Sequence, residues 1–274
     1  MTMLPAMPRM LRQMTAEPPA FITRLAQDAR DLRAAQRLRY LVFVQELGGS
    51  GAMVDHENQL EQDEFDPFFD HLLLIDPSGD PQDLSDVVGV YRLLPSDRLA
   101  MSGRFYSEGE YDLTPLKSSG RRLLELGRSC VHPDHRGGSA MFLLWNALAD
   151  YVLERGIEVL FGTASFHGTD VQALAQPLAY LHHHHLAPPA LRVTARAAHR
   201  AEMNLIAPAQ LDRRAAMAGT PALIKAYLRL GGVVGEGAWI DRAFNTTDVC
   251  LIMDTGRMSA KHRDFYQRKQ VRGG

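Results

Sequence analysis

With 274 residues, 46% of them hydrophobic and 23% charged, the chain can bury one sizeable core and has the composition of an ordinary globular protein. Its 30 basic and 32 acidic residues leave a formal net charge of −2, which argues against the strongly positive surface of a nucleic-acid partner. The two cysteines, Cys130 and Cys250, sit in apolar strand-like runs without CxxC spacing, so neither a zinc site nor a disulfide framework is expected, and a reducing cytoplasm fits.

Residues 1–20 are rich in Met and Pro without an apolar core and read as a flexible leader; residues 259–274 read as a basic tail. No run approaches the roughly 18 apolar residues that span a bilayer, so any membrane contact is expected to be peripheral, at the inner face. Between these ends, 21–258 reads as one domain. FITRLAQ is a short strand candidate, and Asp28 is placed to cap a helix from Ala29, with Leu32, Ala35, Leu38, Val42 and Phe43 near one face and Gly48 and Gly49 as its stop. Residues 48–70 are acidic, glycine-bearing and aperiodic, which predicts a long ordered loop or lid.

Strands are predicted at 71–76, 87–94 and 122–131, each rich in branched or aromatic apolar residues. From Ser139 the period becomes helical, gathering Phe142, Trp145, Leu148, Ala149 and Val152 until Gly156 ends the run. EVLFGTASF is a further strand, followed by a helix over about 170–185, a Pro/Ala-rich stretch at 186–219 without an assignment, and a helix in TPALIKAYLRLGG. GAWID and DVCLIMD close the pattern as an antiparallel hairpin.

The segment ELGRSCVHPDHRGGSAMFLLW, residues 125–145, joins a strand to a helix through a Pro- and Gly-containing turn, which leaves free N–H groups at a helix N-terminus to hold phosphate oxygens. With its flanks, VHPDHRGGSA resembles the acyl-donor loop of the GNAT superfamily. The resemblance implies an α/β fold with a mixed, mostly antiparallel sheet flanked by helices, and donor contacts from Val131, His135, Arg136, Gly137, Gly138, Ser139 and Ala140. Aligned on Arg136, the family's two glycine positions fall on Ser139 and Met141; aligned on His135, they fall on Gly138 and Ala140. Such a shortened loop points to a donor without the adenosine diphosphate portion, the phosphopantetheine of an acyl carrier protein, with no cofactor held permanently.

Arg39 and Phe43, the segment DEFDPFFDHLLL and the strands GVYRLL and ELGR are similar to the order found in acyl-homoserine lactone synthases. DEFDPFFDHLL, ELGRSCVHPDHRGG, LFGTASFHGTD and LAYLHHHHLAPP resemble the ornithine N-alpha-acyltransferase family along nearly the whole chain. That resemblance implies transfer of a 3-hydroxyfatty acyl group from acyl carrier protein to the alpha-amine of L-ornithine, giving lyso-ornithine lipid. The rival readings are an acyl-homoserine lactone synthase, another amino-acid N-acyltransferase, and a non-catalytic lipid- or carrier-binding scaffold. Arg121, Arg122 and Arg136 are the expected docking charges for an acidic carrier.

Glu125 and Arg128 are the catalytic candidates. An amine arrives as an ammonium ion and needs a base, a role open to Glu125; the alternative is that Glu125 is the ion-pair partner of Arg128. Strand alternation sets the two on opposite faces unless Gly127 marks a bulge, whose N–H groups could also form an oxyanion hole. Among the acids of 48–70, Asp66 and Asp70 are favoured as partners for the acceptor's ammonium, with Arg39 and Arg92 for its carboxylate and Phe43 beside them. No metal is expected: His182 to His185 point about 100° apart along a helix and cannot converge on one ion. Cys130 reads as a buried structural thiol, and Ser165 and Thr169 as caps or tunnel lining.

Overall fold

The computed structural model describes residues 20–257. The leader, Ala20 apart, and the basic tail lie outside the described residues. The strand-forming runs become β1 (Ile22–Leu25), β2 (Asp70–Ile75), β3 (Val87–Pro95), the short β4 (Tyr111–Asp112), β5 (Leu123–Val131), β6 (Val159–His167), β7 (Thr194–Ala195), β8 (Arg200–Ala201), β9 (Val233–Val234), β10 (Ala238–Asp241) and β11 (Thr246–Asp254). The helices are α1 (Ala29–Arg39), α2 (Leu99–Ser102), α3 (Thr114–Lys117), α4 (Ala140–Glu154), α5 (Ala175–His185), α6 (Arg213–Gly219) and α7 (Ala222–Arg229).

One nine-stranded sheet runs β1-β2-β3-β5-β6-β11-β10-β8, with β9 also on β11; every pairing in it is antiparallel except β5 with β6. This is the mixed, mostly antiparallel sheet expected. The short β4 and β7 pair with each other apart from it. Alternation along the strands sends Leu72, Leu74, Leu251 and Met253 to a core under α4, α5 and α7. On the opposite face Leu73, Ile75 and Val90 pack on Ala34, Ala35 and Leu38 of α1, and farther along Phe161, Cys250 and Ile252 meet Phe105, Tyr111 and Leu191.

The Asp28 carboxylate accepts from the Asp31 N–H and starts α1 as expected. The helix does not run to Gly48 in one form: at Tyr40 it widens into a π-helix that ends at Glu46. The predicted helix at 170–185 starts only at Ala175, because Asp170, not Ser165 or Thr169, takes the turn N–H groups of Gln172 and Ala173. The unassigned stretch contains β7, β8 and α6.

Two irregularities interrupt the sheet at β5. β5 and β6 pair in parallel for three residues only, Leu123 to Glu125 against Val159 to Phe161, and then part although each strand continues. At the fork Gly162 comes so close to β5 that a Cβ would fall 2.1 Å from the Leu126 carbonyl oxygen. On its other side β5 bulges against β3: Cys130 faces Val90 and Gly127 faces Arg92, so Arg128 and Ser129 together oppose Tyr91. Arg128 has φ of 48°, a left-handed conformation rare for a bulky side chain.

What holds that conformation is a buried network built from the acidic loop. The Arg128 Nε donates to Glu61 at 3.1 Å, and its Nη2 lies 3.4 Å from Asp63. Arg92 Nη1 donates to Asp63 at 2.7 Å and to Asp66 at 2.9 Å. Arg39, wholly buried, pairs with Glu61 and reaches Asp66 at 2.6 Å. Burial alone would raise these carboxyl pKa values, but Arg128 and Arg39 outweigh it and hold Glu61 at about 2, while Arg39 and Arg92 depress Asp66.

Breaking one member of the network leaves a buried charge without its partner. Asp66→Asn is expected to cost about 3–5 kcal/mol in urea denaturation. Folding depresses these pKa values, so their contribution is complete above about pH 4.5, where the unfolded carboxyls are ionised, and is lost as pH falls toward 2; the wild-type melting temperature should drop through that window. At the fork, Gly162→Ala should force β5 and β6 apart, lowering stability by roughly 1–3 kcal/mol in the same assay. A melting temperature equal to that of the unaltered chain would remove the close approach as a constraint.

Candidate active site

A cavity of about 270 Å³ occupies the space where β5 and β6 part, lined by Leu126 to Ser129 of β5 and Leu160 to Ser165 of β6. It crosses the sheet. On the side of α4 and α7 its walls are Leu126, Leu160, Leu223, Tyr227, Leu251 and Met253, members or neighbours of the first core. On the opposite side stand Arg92, Tyr106, Glu110, Glu125, Arg128, Asp241 and Asp248, with Phe43, Phe69 and Phe244 between them. One half suits a hydrocarbon chain and the other a charged, polar molecule.

Glu125 is 1% exposed and does not pair with Arg128. Its Oε2 accepts from the Tyr106 N–H at 2.8 Å, and its Oε1 accepts from the Ser107 N–H at 2.7 Å and from the Ser107 hydroxyl. The ion-pair alternative is therefore corrected: the partners of Glu125 are the backbone and hydroxyl of the 106–107 turn, and those of Arg128 are Glu61 and Asp63. Burial raises the Glu125 pKa above the usual carboxylate value, against the opposing Ser107 and Tyr106 hydrogen bonds. The bulge lies at Arg128 and Ser129, one residue beyond the glycine expected to mark it. The Arg128 guanidinium sits 5.0 Å from the Tyr106 ring centre and 5.1 Å from that of Phe244.

Three acids absent from the sequence expectations complete the charged half. Glu110 precedes β4, Asp241 ends β10, and Asp248 lies in β11, yet one oxygen of each falls within 4.8 Å of the others. Burial and the neighbouring Asp248 and Asp241 carboxylates raise the Glu110 pKa; burial and Asp241 raise Asp248 to about 6, against the Ser165 and Thr246 hydroxyls. Asp248 carried a readable signal: it shares a strand face with Cys250 and Ile252, where an acid is out of place unless something meets it. Glu110 gave none, since the 96–118 segment has no clear period.

The remaining expected residues separate. Phe43 and Arg92 line the cavity, whereas Arg39 and Asp66 sit beneath it with their charges taken up by each other and by Glu61, Arg92 and Gln36. Asp70 lines no part of it: its carboxylate accepts from the Tyr151 hydroxyl at 2.8 Å and pairs with Arg98 and Arg155. Val131, His135, Arg136, Gly137, Gly138, Ser139 and Ala140 form the end of β5 and the turn into α4, outside the cavity walls. Within that turn Arg136 forms a two-pronged pair with Glu46, and Gly137 has φ of 77°. Arg121 and Arg122 precede β5 and Arg136 follows it, so nine strand residues, roughly 25 Å, separate them and they form no single patch. Cys130 is buried, its thiol pushed up to about 12 by burial. In the histidine run, His183 faces the Ile206 carbonyl while His184 and His185 lie against Tyr180.

The profile of the Acetyltransferase (GNAT) domain matches residues 38–146. The L-ornithine N(alpha)-acyltransferase of Rhodobacter capsulatus is 67% identical over 256 residues, 93% of this chain and 98% of the relative. The protein of that name from Rhizobium meliloti is 39% identical, over 89% of this chain and 83% of the relative. Among solved structures, an N-acyl amino acid synthase from uncultured soil microbes superposes with a TM-score of 0.49 at 12% identity, covering 87% of this chain and 93% of that one. An identity of 67% over nearly the full length of both chains decides the matter: the chain belongs to the L-ornithine N(alpha)-acyltransferase family and carries a GNAT fold.

Proposed function

We propose that this protein transfers a 3-hydroxyfatty acyl group from acyl carrier protein to the alpha-amine of L-ornithine, giving lyso-ornithine lipid. Ornithine N-acylation is the activity by which its relatives are named. The observation that carries the reading is the cavity through the sheet, apolar toward α4 and α7 and charged on the other side. An acyl chain lies in the first half, the amino acid in the second, and the thioester between them at the fork. Phosphopantetheine reaches the fork past the turn at Val131 to Ala140, where the positive end of the α4 dipole favours its phosphate.

In the transfer the alpha-amine attacks the thioester carbonyl, a C–N bond forms, the C–S bond breaks, and the thiol leaves with a proton. Glu125, made more basic by burial, takes the proton that the amine sheds. An N–H released from the β-ladder by the Arg128–Ser129 bulge faces the developing oxyanion. No helix among the described residues is long and apolar enough to cross a membrane. We place the protein in the cytoplasm, touching the inner face of the membrane peripherally to release an amphiphilic product.

Two measurements test this reading. The first compares donors: kcat/KM with a 3-hydroxyacyl carrier protein should exceed that with the same acyl coenzyme A by at least about tenfold, a difference of about 1.4 kcal/mol. Equal values would remove the carrier as the natural donor. The second uses Glu125→Gln, which should lower kcat by about 10² to 10⁴. Glu125 as a base gives the wild type an acidic limb in its pH–rate profile, set by its raised pKa, and the variant should lose that limb and gain rate as free amine accumulates. A variant slowed equally at every pH would assign Glu125 only to holding the 106–107 turn.

A further inference from the structure

Glu110 and Asp248 are 7% and 4% exposed. The Oε2 of Glu110 and the Oδ1 of Asp248 are buried without a hydrogen-bond partner. Buried acceptors are costly when left without donors, and close like charges add repulsion. The chain accepts both costs at one point of the cavity wall, where Asp241 adds a third carboxylate within 4.8 Å. All three residues line the cavity, so a ligand seated there can bring the donors that the protein does not supply.

We propose that Glu110, Asp241 and Asp248 cradle the side-chain ammonium of the acceptor and thereby determine which of its two amines is acylated. The inference rests on the reading of the protein as an ornithine N-acyltransferase. An alkylammonium group offers three N–H donors, and the trio offers one oxygen from each of three carboxylates. Asp241 is held in place from behind, its Oδ1 accepting from the Ala243 and Phe244 N–H groups at 2.8 and 3.0 Å. The trio lies in the same charged half as Glu125 and Arg128, which both act electrostatically on Glu110. A side chain anchored there leads back toward the fork, leaving the alpha-amine at the thioester and the carboxylate toward the arginines. A Ca²⁺ or Mg²⁺ ion would ask for six or more oxygen ligands, whereas the neighbouring wall continues into Phe244, Phe161 and Ile252.

The test compares ornithine with norvaline, which has the same carbon chain without the terminal amine, using an acyl carrier protein donor throughout. Wild-type kcat/KM should favour ornithine by on the order of 10²-fold or more, because norvaline leaves the cradle unpaired. Asp248→Asn and Asp241→Asn should each lower the ornithine value substantially and leave norvaline nearly unchanged, so that the preference collapses. If Asp248→Asn fails to fold by thermal melting, the half-buried Asp241 decides through its own variant. Equal losses on both substrates, or a preference that survives the substitution, would overturn the cradle. A wild-type enzyme that acylates both acceptors equally overturns the cradle alone, whereas one inactive on ornithine overturns the functional reading beneath it. Loss of ornithine activity in EDTA, restored by Mg²⁺ or Ca²⁺, would assign the trio to a metal instead.

Discussion

The buried pairing of Arg39, Arg92 and Arg128 with Glu61, Asp63 and Asp66 is the constraint on which the site depends. Its members come from α1, β3, β5 and the acidic loop before β2, so one electrostatic cluster ties the loop to the apolar packing that α1, β3 and β5 share. The cluster also makes the bulge tolerable: a left-handed arginine costs on the order of 1–3 kcal/mol, and its ion pairs fix the side chain on the cavity side. The loop that looks like a lid is thus the counter-charge of the bulged strand β5. Desolvating six charges is costly, and the arrangement persists because each charge meets more than one partner or an aromatic ring.

From this anchored strand the chemistry of the cavity follows. β5 is fastened to β3 and parts from β6, which opens a passage between the two faces of the sheet. Because strand alternation makes one face apolar and the other locally charged, a single opening meets both an apolar and a charged surface. Glu125 serves two ends in this geometry: it orders the 106–107 turn by three hydrogen bonds, and that turn carries Tyr106 under Arg128 and leads to Glu110.

Much of this was legible in the sequence. The long strands, α4 with its glycine stop, the capped α1 and the terminal hairpin follow from period and capping alone, because each is long enough for its pattern to exceed noise. The short elements between 96 and 118 and between 186 and 219 were not, since two-residue strands and single helical turns carry no period. Of the expected residues, Glu125, Arg128, Arg92 and Phe43 line the cavity, carried there by long elements whose period is readable. Asp70 and Asp66 misled for a physical reason: a carboxylate beside a phenylalanine pair is held rigid whether it awaits a substrate or already has an arginine. The acidic trio gathers residues up to 138 positions apart, a proximity that only the fold creates.

The three-residue parallel seam between β5 and β6 divides the sheet into two sub-sheets of consecutive sequence, one of β1, β2, β3 and β5 from residues 22–131, the other of β6 and β8 to β11 from residues 159–254. The GNAT profile ends inside α4, the crossover that tethers one sub-sheet to the other. The first block carries Glu110 and the bulged strand that leads into the turn before α4, while Asp241 and Asp248 belong to the second. On the reading proposed above, the acceptor's ammonium is gripped across the seam, by one carboxylate from the first block and two from the second. On that reading, a family built on this seam can exchange two of the three charges that meet the acceptor without disturbing the fastened strand β5.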